Sequence, residues 1–346
     1  MKSVTIAGKK IGDGHPCFVI AEIGGSFRNF EEAKRLIDSA IEIGVDAVKF
    51  QTLEAETITT KNNQFDMEST GKVSQYEIFK QFELSKDLQK QVVEYANKMN
   101  IPIFSAPSHM KDLEIMKEMK LQIFKIGSDL ACHIPLLKEV AKLGHPIILS
   151  TGMCNLDEVR KSVEAILSTG NNQLALLHCV SNYPSKIEEL NLEAINEMKK
   201  EFDLPVGFSD HTKGSLAVLT SAIMGANIIE KHFRDEKNTP GPDDPHALIK
   251  KEFLELIESI RKSELAKGNG KKLPTDSEKK NLSTNRVSII AMENIPAGTK
   301  IQEKMLDIRR PGNGIQPIHF EEIIGMETKI NIQKEQPLTW EMLKSE

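Results

Sequence analysis

The sequence predicts a parallel α/β barrel followed by a smaller β-rich unit. Apolar, β-branched runs alternate with amphipathic stretches through the first three-quarters of the chain, the pattern of parallel strands joined by helical crossovers. About eight strand–helix units fit into roughly 260 residues, which suits a closed barrel better than an open doubly wound sheet. After residue 285 the pattern changes to short β-like runs separated by turn signals.

The strands are expected at 18–21, 46–50, 102–105, 123–126, 146–150, 174–178, 205–209 and 227–231. Amphipathic helices are expected between them, among them 30–43, 85–99, 156–168 and 192–201. The segment 57–76 is polar and lacks a period, so it reads as a long loop after the second strand. No G-x-G-x-x-G follows the first run, which counts against a dinucleotide-binding sheet. The stretch 266–285 (AKGNGKKLPTDSEKKNLSTN) reads as an exposed linker or irregular extension, and it lacks the phosphate-loop pattern. The expected organisation is a barrel over 1–268, a linker over 269–285 and a small domain over 286–346. Within that domain 295–306 (IPAGTKIQEKML) is similar to 332–343 (IQKEQPLTWEML), two turn-plus-helix pieces that point to internal pseudo-symmetry.

Composition narrows the function. A chain of 346 residues suits a large domain plus a small one, and 39% hydrophobic content allows a sizeable core. The formal charge of -5 gives no reason to expect nucleic acid or an anionic membrane as partner. An anionic substrate must therefore be held by locally placed basic groups. The four cysteines (Cys17, Cys132, Cys154 and Cys179) are far apart without a C-x-x-C pair, and Cys132, Cys154 and Cys179 read as buried small apolar side chains. The N-terminus shows no apolar signal region and no run is long enough to cross a bilayer, so a cytoplasmic location is expected.

Side chains that finish barrel strands converge on one mouth, where such barrels carry their chemistry. Here the strand ends offer Glu22, Lys49, Gln51, Ser105, Lys125, Ser128, Ser150, Thr151, His178, Ser209, Asp210, His211, Glu230, Lys231 and His232. Lys49 and Lys125 with Ser128, Ser150 and Ser209 form a cradle for a phosphorylated anion, the lysines as point charges and the hydroxyls orienting oxygens. His211 and His232, each closing an adjacent strand, are candidate metal ligands with open positions for water and substrate. That set suits a labile ion such as Mn²⁺, with Zn²⁺, Co²⁺ or Mg²⁺ as alternatives. Asp210 and Glu230 flank the histidines and are expected to support them. Glu22 is placed either for general acid–base work or for a salt bridge to a lysine. Gly241-Pro242-Asp243-Asp244-Pro245-His246 forms a rigid turn in which Asp243 can accept hydrogen bonds from hydroxyls.

Taken together, several motifs resemble the sialic acid synthase family. They are Ala-Glu-Ile-Gly (21–24), Val-Lys-Phe-Gln (48–51), Phe-Glu-Leu-Ser (82–85), Lys-Ile-Gly-Ser (125–128), Leu-Ser-Thr-Gly-Met (149–153), His-Cys-Val-Ser-Asn-Tyr-Pro (178–184), Gly-Phe-Ser-Asp-His-Thr (207–212), Glu-Lys-His-Phe (230–233) and Arg-Pro-Gly-Asn-Gly (310–314). The C-terminal segment resembles the antifreeze-like (SAF) domain of the same enzymes. The resemblance implies a (β/α)8 TIM barrel with a small SAF β-clip domain, condensing phosphoenolpyruvate with N-acetylmannosamine and water to N-acetylneuraminate and phosphate. An alternative acceptor is a 2,4-diacetamido-6-deoxymannose leading to legionaminate. It further implies Mn²⁺ or a similar ion on His211 and His232, and phosphoenolpyruvate on Lys49, Lys125, Ser128, Ser150 and Ser209. Gln51, Tyr183 and Asp243 would contact the sugar, and Glu22 would act on water or the enol carbon. Arg310 would reach the sugar in the partner subunit of a domain-swapped homodimer.

The chain departs from the family's pattern in two places. Ser26-Phe27-Arg28-Asn29 stands where Asn-His-x-Gly is usual, and Ala106 stands where a threonine is common. The second change removes a hydroxyl, and one hydrogen bond to a charged group is worth roughly 1.5–3 kcal/mol. Two rival readings remain at this point: a Schiff-base aldolase using Lys125 or Lys231, and an inactive sugar-binding paralogue.

Overall fold

In the computed structural model, which describes residues 3–67 and 71–344, the apolar runs become strands of a parallel sheet closed on itself. In chain order these are β1 (Phe18–Glu22), β2 (Ala47–Thr52), β3 (Ile103–Pro107), β4 (Phe124–Ile126), β5 (Ile147–Ser150), β6 (Leu174–Cys179), β7 (Val206–Asp210) and β8 (Ile228–His232). Each pairs with the next, and β8 returns to β1, so the expected TIM barrel is present. The register sets residues level with one another: Glu22 lies opposite Lys49 and His232, and Ser209 lies opposite both Cys179 and Glu230.

Two apolar layers hold the barrel. Phe18, Ile20, Phe104, Ile148, Leu177 and Ile228 fill its interior, and Val4, Ile6 and Ile11 join the same cluster. Those three come from an antiparallel hairpin, Val4–Ile6 with Lys9–Ile11, which plugs the barrel floor. The second layer lies between strands and helices, with Leu36, Ile37, Val92, Leu136, Leu137 and Ile166 on the buried helix faces. Local chemistry sets the helix ends. Asn29 caps Phe30–Ile43 by accepting from the Glu32 amide at 3.0 Å, and Gly44 ends that helix in the left-handed conformation.

The segment read as a plain loop after β2 has structure of its own. It contains a short helix (Ala55–Ile58), an antiparallel hairpin (Gln64–Met67 with Gly71–Ser74) and a helix (Gln75–Phe82). Its packing is sparse, chiefly Phe65 edge-on to Phe79 at 5.6 Å, so it leaves little hydrophobic period to read.

The described residues fall into two compact units, Met1–Gly268 and Asn269–Glu346. The second begins with exposed one-turn helices, Asp276–Lys279 and Leu282–Asn285. Its core joins Ile289, Ile295, Ile301, Ile315, Ile323, Ile332, Leu338 and Leu343. Strands β9 (Ser288–Ala291) and β10 (Leu306–Arg309) pair antiparallel. The two similar pieces meet where Ile295 and Ile332 exchange both backbone hydrogen bonds at 2.8 Å. Each piece then ends in a single 3-10 turn, Glu303–Met305 and Trp340–Met342, in place of a longer helix.

Lys231 and Asp210 form a fully buried pair at 2.5 Å on the outer face of β7 and β8, and Lys231 also donates to the Thr212 carbonyl at 2.5 Å. Lys231→Met strands the Asp210 charge and is expected to cost roughly 3–5 kcal/mol in urea unfolding. Adding Asp210→Asn recovers most of that loss. A double variant no more stable than the single one would contradict this account.

Candidate active site

The C-terminal rim of the barrel gathers four buried charges. Glu22, fully buried, accepts from the Gly24 amide and pairs with Lys49. Lys49 Nζ also lies 3.3 Å from Glu230 Oε1, and Lys125 Nζ lies 3.4 Å from the same oxygen. Ser209 Oγ donates to it at 3.2 Å. Glu230 is thus the hub between two ammonium groups and not a support for the histidines. Burial pushes the Lys49 ammonium down to about 8, against the pull of Glu230. Burial alone would raise the Glu230 carboxyl, but Lys125 and Lys49 overcome it and hold that group at about 2.

Next to this hub, hydroxyls and an amide face one another. Ser128 Oγ accepts from the Gly152 amide at 3.0 Å. A Cβ at Gly152 would lie 2.4 Å from Ser181 Oγ and 2.8 Å from Ser128 Oγ, so any larger residue there would force both hydroxyls to move. Ser150 Oγ is buried without a hydrogen-bond partner among the described residues, as is Glu230 Oε2. Buried polar atoms of this kind are normally satisfied by a ligand, an ion or water.

The imidazoles form a second cluster. His211, His232 and His246 are all buried, with ring centroids 5.7 Å (211–232), 4.9 Å (232–246) and 5.8 Å (211–246) apart. Tyr183 packs on His211 at 4.2 Å. His211 Nδ1 lies 3.0 Å from the Val180 carbonyl and 3.7 Å from Cys179 Sγ. A proton on that nitrogen leaves Nε2 as a free donor atom. Burial, then His246 and His211, push His232 well below the usual imidazole range. Burial also takes His246 down to about 3. Asp243 stands between these two rings, its Oδ2 3.6 Å from His232 Nδ1 and its Oδ1 3.7 Å from His246 Nε2. Burial raises its carboxyl to about 6, against His211 and Lys49. Neutral imidazoles beside a carboxylate are a metal-binding donor set.

Glycine at position 25 makes this approach possible. Its φ is +75°, and a Cβ there would sit 2.9 Å from Asp243 Oδ2. Gln51 lies beside the same loop, its Cγ 2.7 Å from where a Gly24 Cβ would be.

Several strand-end residues point the other way, because side chains alternate between faces along a strand. Ser105 faces outward and bonds Thr52 Oγ1 at 2.7 Å. His178 faces outward onto the Leu190 carbonyl at 2.6 Å, and Thr151 donates to the Leu177 carbonyl at 3.0 Å. Asp210, expected behind the histidines, is held by Lys231 on the outer face. Arg310 belongs to the second unit and is exposed there. The residue that sequence reasoning passed over is His246, although it closes the turn that was singled out for Asp243. Cys132 is exposed and Cys154 half-buried, where buried side chains were expected, and their Sγ atoms lie 3.8 Å apart.

Comparison with known proteins follows this geometry. The model described as the NeuB family matches residues 36–272, and that of the SAF domain matches 286–344. The chain is 35% identical over 346 residues to the N,N'-diacetyllegionaminic acid synthase of Legionella pneumophila, with 97% of each chain covered. It is 37% identical over 314 residues to the corresponding protein of Campylobacter jejuni, covering 89% of this chain and 94% of that one. The solved N-acetylneuraminic acid synthetase of Leptospira borgpetersenii, in complex with citrate, aligns with a TM-score of 0.73 at 31% identity. That alignment covers 81% of this chain and 94% of the other.

Removing the hub charge tests the electrostatics directly. Glu230→Gln leaves Lys49 and Lys125 facing each other and is expected to lower stability by roughly 3–5 kcal/mol. Millimolar inorganic phosphate should restore part of the loss in a thermal unfolding assay, more than equal ionic strength of chloride does. Equal effects of both salts would show that the lysines do not form an anion pocket.

Proposed function

The chain belongs to the NeuB family and is a carbon–carbon bond-forming enzyme, and from that premise we propose that it joins phosphoenolpyruvate to an N-acylated aminosugar. The products are a nonulosonic acid and phosphate. The observation that carries this reading is the pair of buried lysines, Lys49 and Lys125, set on either side of Glu230 within the same strand-end rim as the imidazole cluster.

Lys49 and Lys125 would hold the phosphate and carboxylate of phosphoenolpyruvate, and Ser128, Ser150 and Ser209 would orient its oxygens. Water-excluded ammonium groups stabilise such charge far better than solvated ones. In the reaction, C3 of phosphoenolpyruvate forms a bond to the aldehyde carbon of the open-chain sugar, whose oxygen becomes a hydroxyl. Water adds to C2, and the C2–O bond to phosphate breaks to leave the 2-keto acid. Glu22, which accepts from the Gly24 amide and pairs with Lys49, would take a proton from that water, and the water's two protons end on the new hydroxyl and on the departing phosphate.

The donor set fits a divalent cation, since His211 and His232 are buried and His232 is held neutral, its Nδ1 without a hydrogen-bond partner among the described residues. Those two residues would hold Mn²⁺, or Mg²⁺, Co²⁺ or Zn²⁺ in its place. When bound, the ion supplies Lewis acidity to the acceptor's aldehyde oxygen.

Gln51, Tyr183 and Asp243 would contact the acceptor, with N-acetylmannosamine as one candidate. The two relatives named as N,N'-diacetyllegionaminic acid synthases favour a 2,4-diacetamido-6-deoxymannose instead. In a homodimer, Arg310 of a second copy would complete the sugar site. Among the described residues no helix is long and apolar enough to cross a membrane. The Schiff-base alternative through Lys231 loses its nucleophile, since that ammonium is buried and tied to Asp210.

Phosphate release with phosphoenolpyruvate, Mn²⁺ and a panel of acceptor sugars tests the proposal. Turnover is expected with one acceptor and is abolished by EDTA. A borohydride-trapped adduct with pyruvate, or no phosphate from any acceptor, would overturn it. The pH profile gives a second test. Lys49 is charged below about 8 and neutral above it in the free protein. Accordingly kcat/KM for phosphoenolpyruvate should fall as pH rises through that value, and a profile flat to pH 9.5 (about 1.5 units higher) would exclude Lys49 as an anion ligand.

A further inference from the structure

His246 has no role in the scheme above, yet its setting is unusual. The side chain is 1% exposed, and neither ring nitrogen has a hydrogen-bond partner among the described residues. Burying an imidazole with both nitrogens unsatisfied is costly, so an orphan of this kind calls for a ligand in its surroundings. His232 Nδ1, on the neighbouring ring, is orphaned in the same way.

The backbone brings these groups together. The amides of His246 and Ala247 both donate to the Asp243 carbonyl, at 3.1 and 3.0 Å, so one bend presents the side chains of 243 and 246 on one side. The Leu248 amide donates to the His232 carbonyl at 2.9 Å, which ties that bend to the end of β8. One donor atom from each of His232, Asp243 and His246 lies within 4.8 Å of the others. Asp243 turns Oδ2 toward His232 Nδ1 at 3.6 Å and Oδ1 toward His246 Nε2 at 3.7 Å, so its carboxylate spans the two rings, at separations that ligands about 2 Å from an ion can adopt.

We propose that His246 is a protein ligand of the divalent cation, acting with His232 and one oxygen of Asp243. This rests on the metal-dependent reading of the site and extends its ligand set beyond His211 and His232. A set richer in nitrogen binds Co²⁺ or Zn²⁺ in preference to Mg²⁺, because imidazole suits borderline ions and Mg²⁺ prefers oxygen.

The test uses the full chain stripped with a chelator and titrated with Co²⁺ or Zn²⁺ against a chromophoric competitor. His246→Ala and His246→Gln should each weaken both ions by at least about tenfold, with a changed visible spectrum in the Co²⁺ form. In the wild-type Co²⁺ protein, the ring signals of His246 should be shifted by the paramagnetic ion in histidine-labelled NMR, which needs no variant to fold. Wild-type affinity in both variants, or a His246 ring that keeps its diamagnetic signals, would overturn the proposal. Phosphate release on the same samples separates the two readings. Product formation with an unshifted His246 removes this ligand alone, whereas a shifted His246 without product from any acceptor removes the synthase reading and leaves the metal site standing.

Discussion

Four charges buried at the rim of the barrel, Glu22, Lys49, Lys125 and Glu230, set the terms for everything around them. Two carboxylates and two ammonium groups balance, so the cluster survives out of water, where any one of them alone would be expelled or neutralised. The balance is local and directional. Glu230 Oε1 faces both lysines and Ser209, and Glu22 faces Lys49 and the Gly24 amide. An arriving dianion can therefore compete for ammonium groups that are already desolvated and aimed, which is the electrostatic preorganisation such chemistry needs.

The barrel makes this arrangement through register. Parallel pairing places Glu22, Lys49 and His232 at one height, and Ser209 between Cys179 and Glu230. Alternation then sorts the rim: Lys49, Ser209 and Glu230 turn inward, while Ser105, His178, Asp210 and Lys231 turn outward to satisfy backbone or each other. The outer residues are not idle. Lys231 and Asp210 tie together the ends of the two strands that lead to His211 and His232.

Glycines let the loops close on it. Gly25 admits Asp243, and Gly152 admits Ser128 and Ser181; a methyl group at either place would crowd those polar atoms. The turn 241–246 is consequently held against the first βα loop, and its carboxylate and imidazole arrive together beside His232.

Much of this was legible in the sequence. The strand runs, the absence of a dinucleotide fingerprint and the ordered motifs pointed to the barrel and to the family, because periodicity and turn chemistry are local properties. Residues Lys49, Lys125, Glu22 and the two strand-end histidines could be named because barrel strands end at one mouth. Tertiary structure alone decided which neighbour of each strand end faces in, since a shift of one residue reverses every side chain and short runs do not announce their phase. It alone decided that Glu230 serves the lysines, that the N-terminal hairpin seals the floor, and that His246, distant in sequence from His211, joins the imidazoles. Those outcomes depend on how loops far apart in the chain meet, and contact across such distances leaves no period in a single sequence.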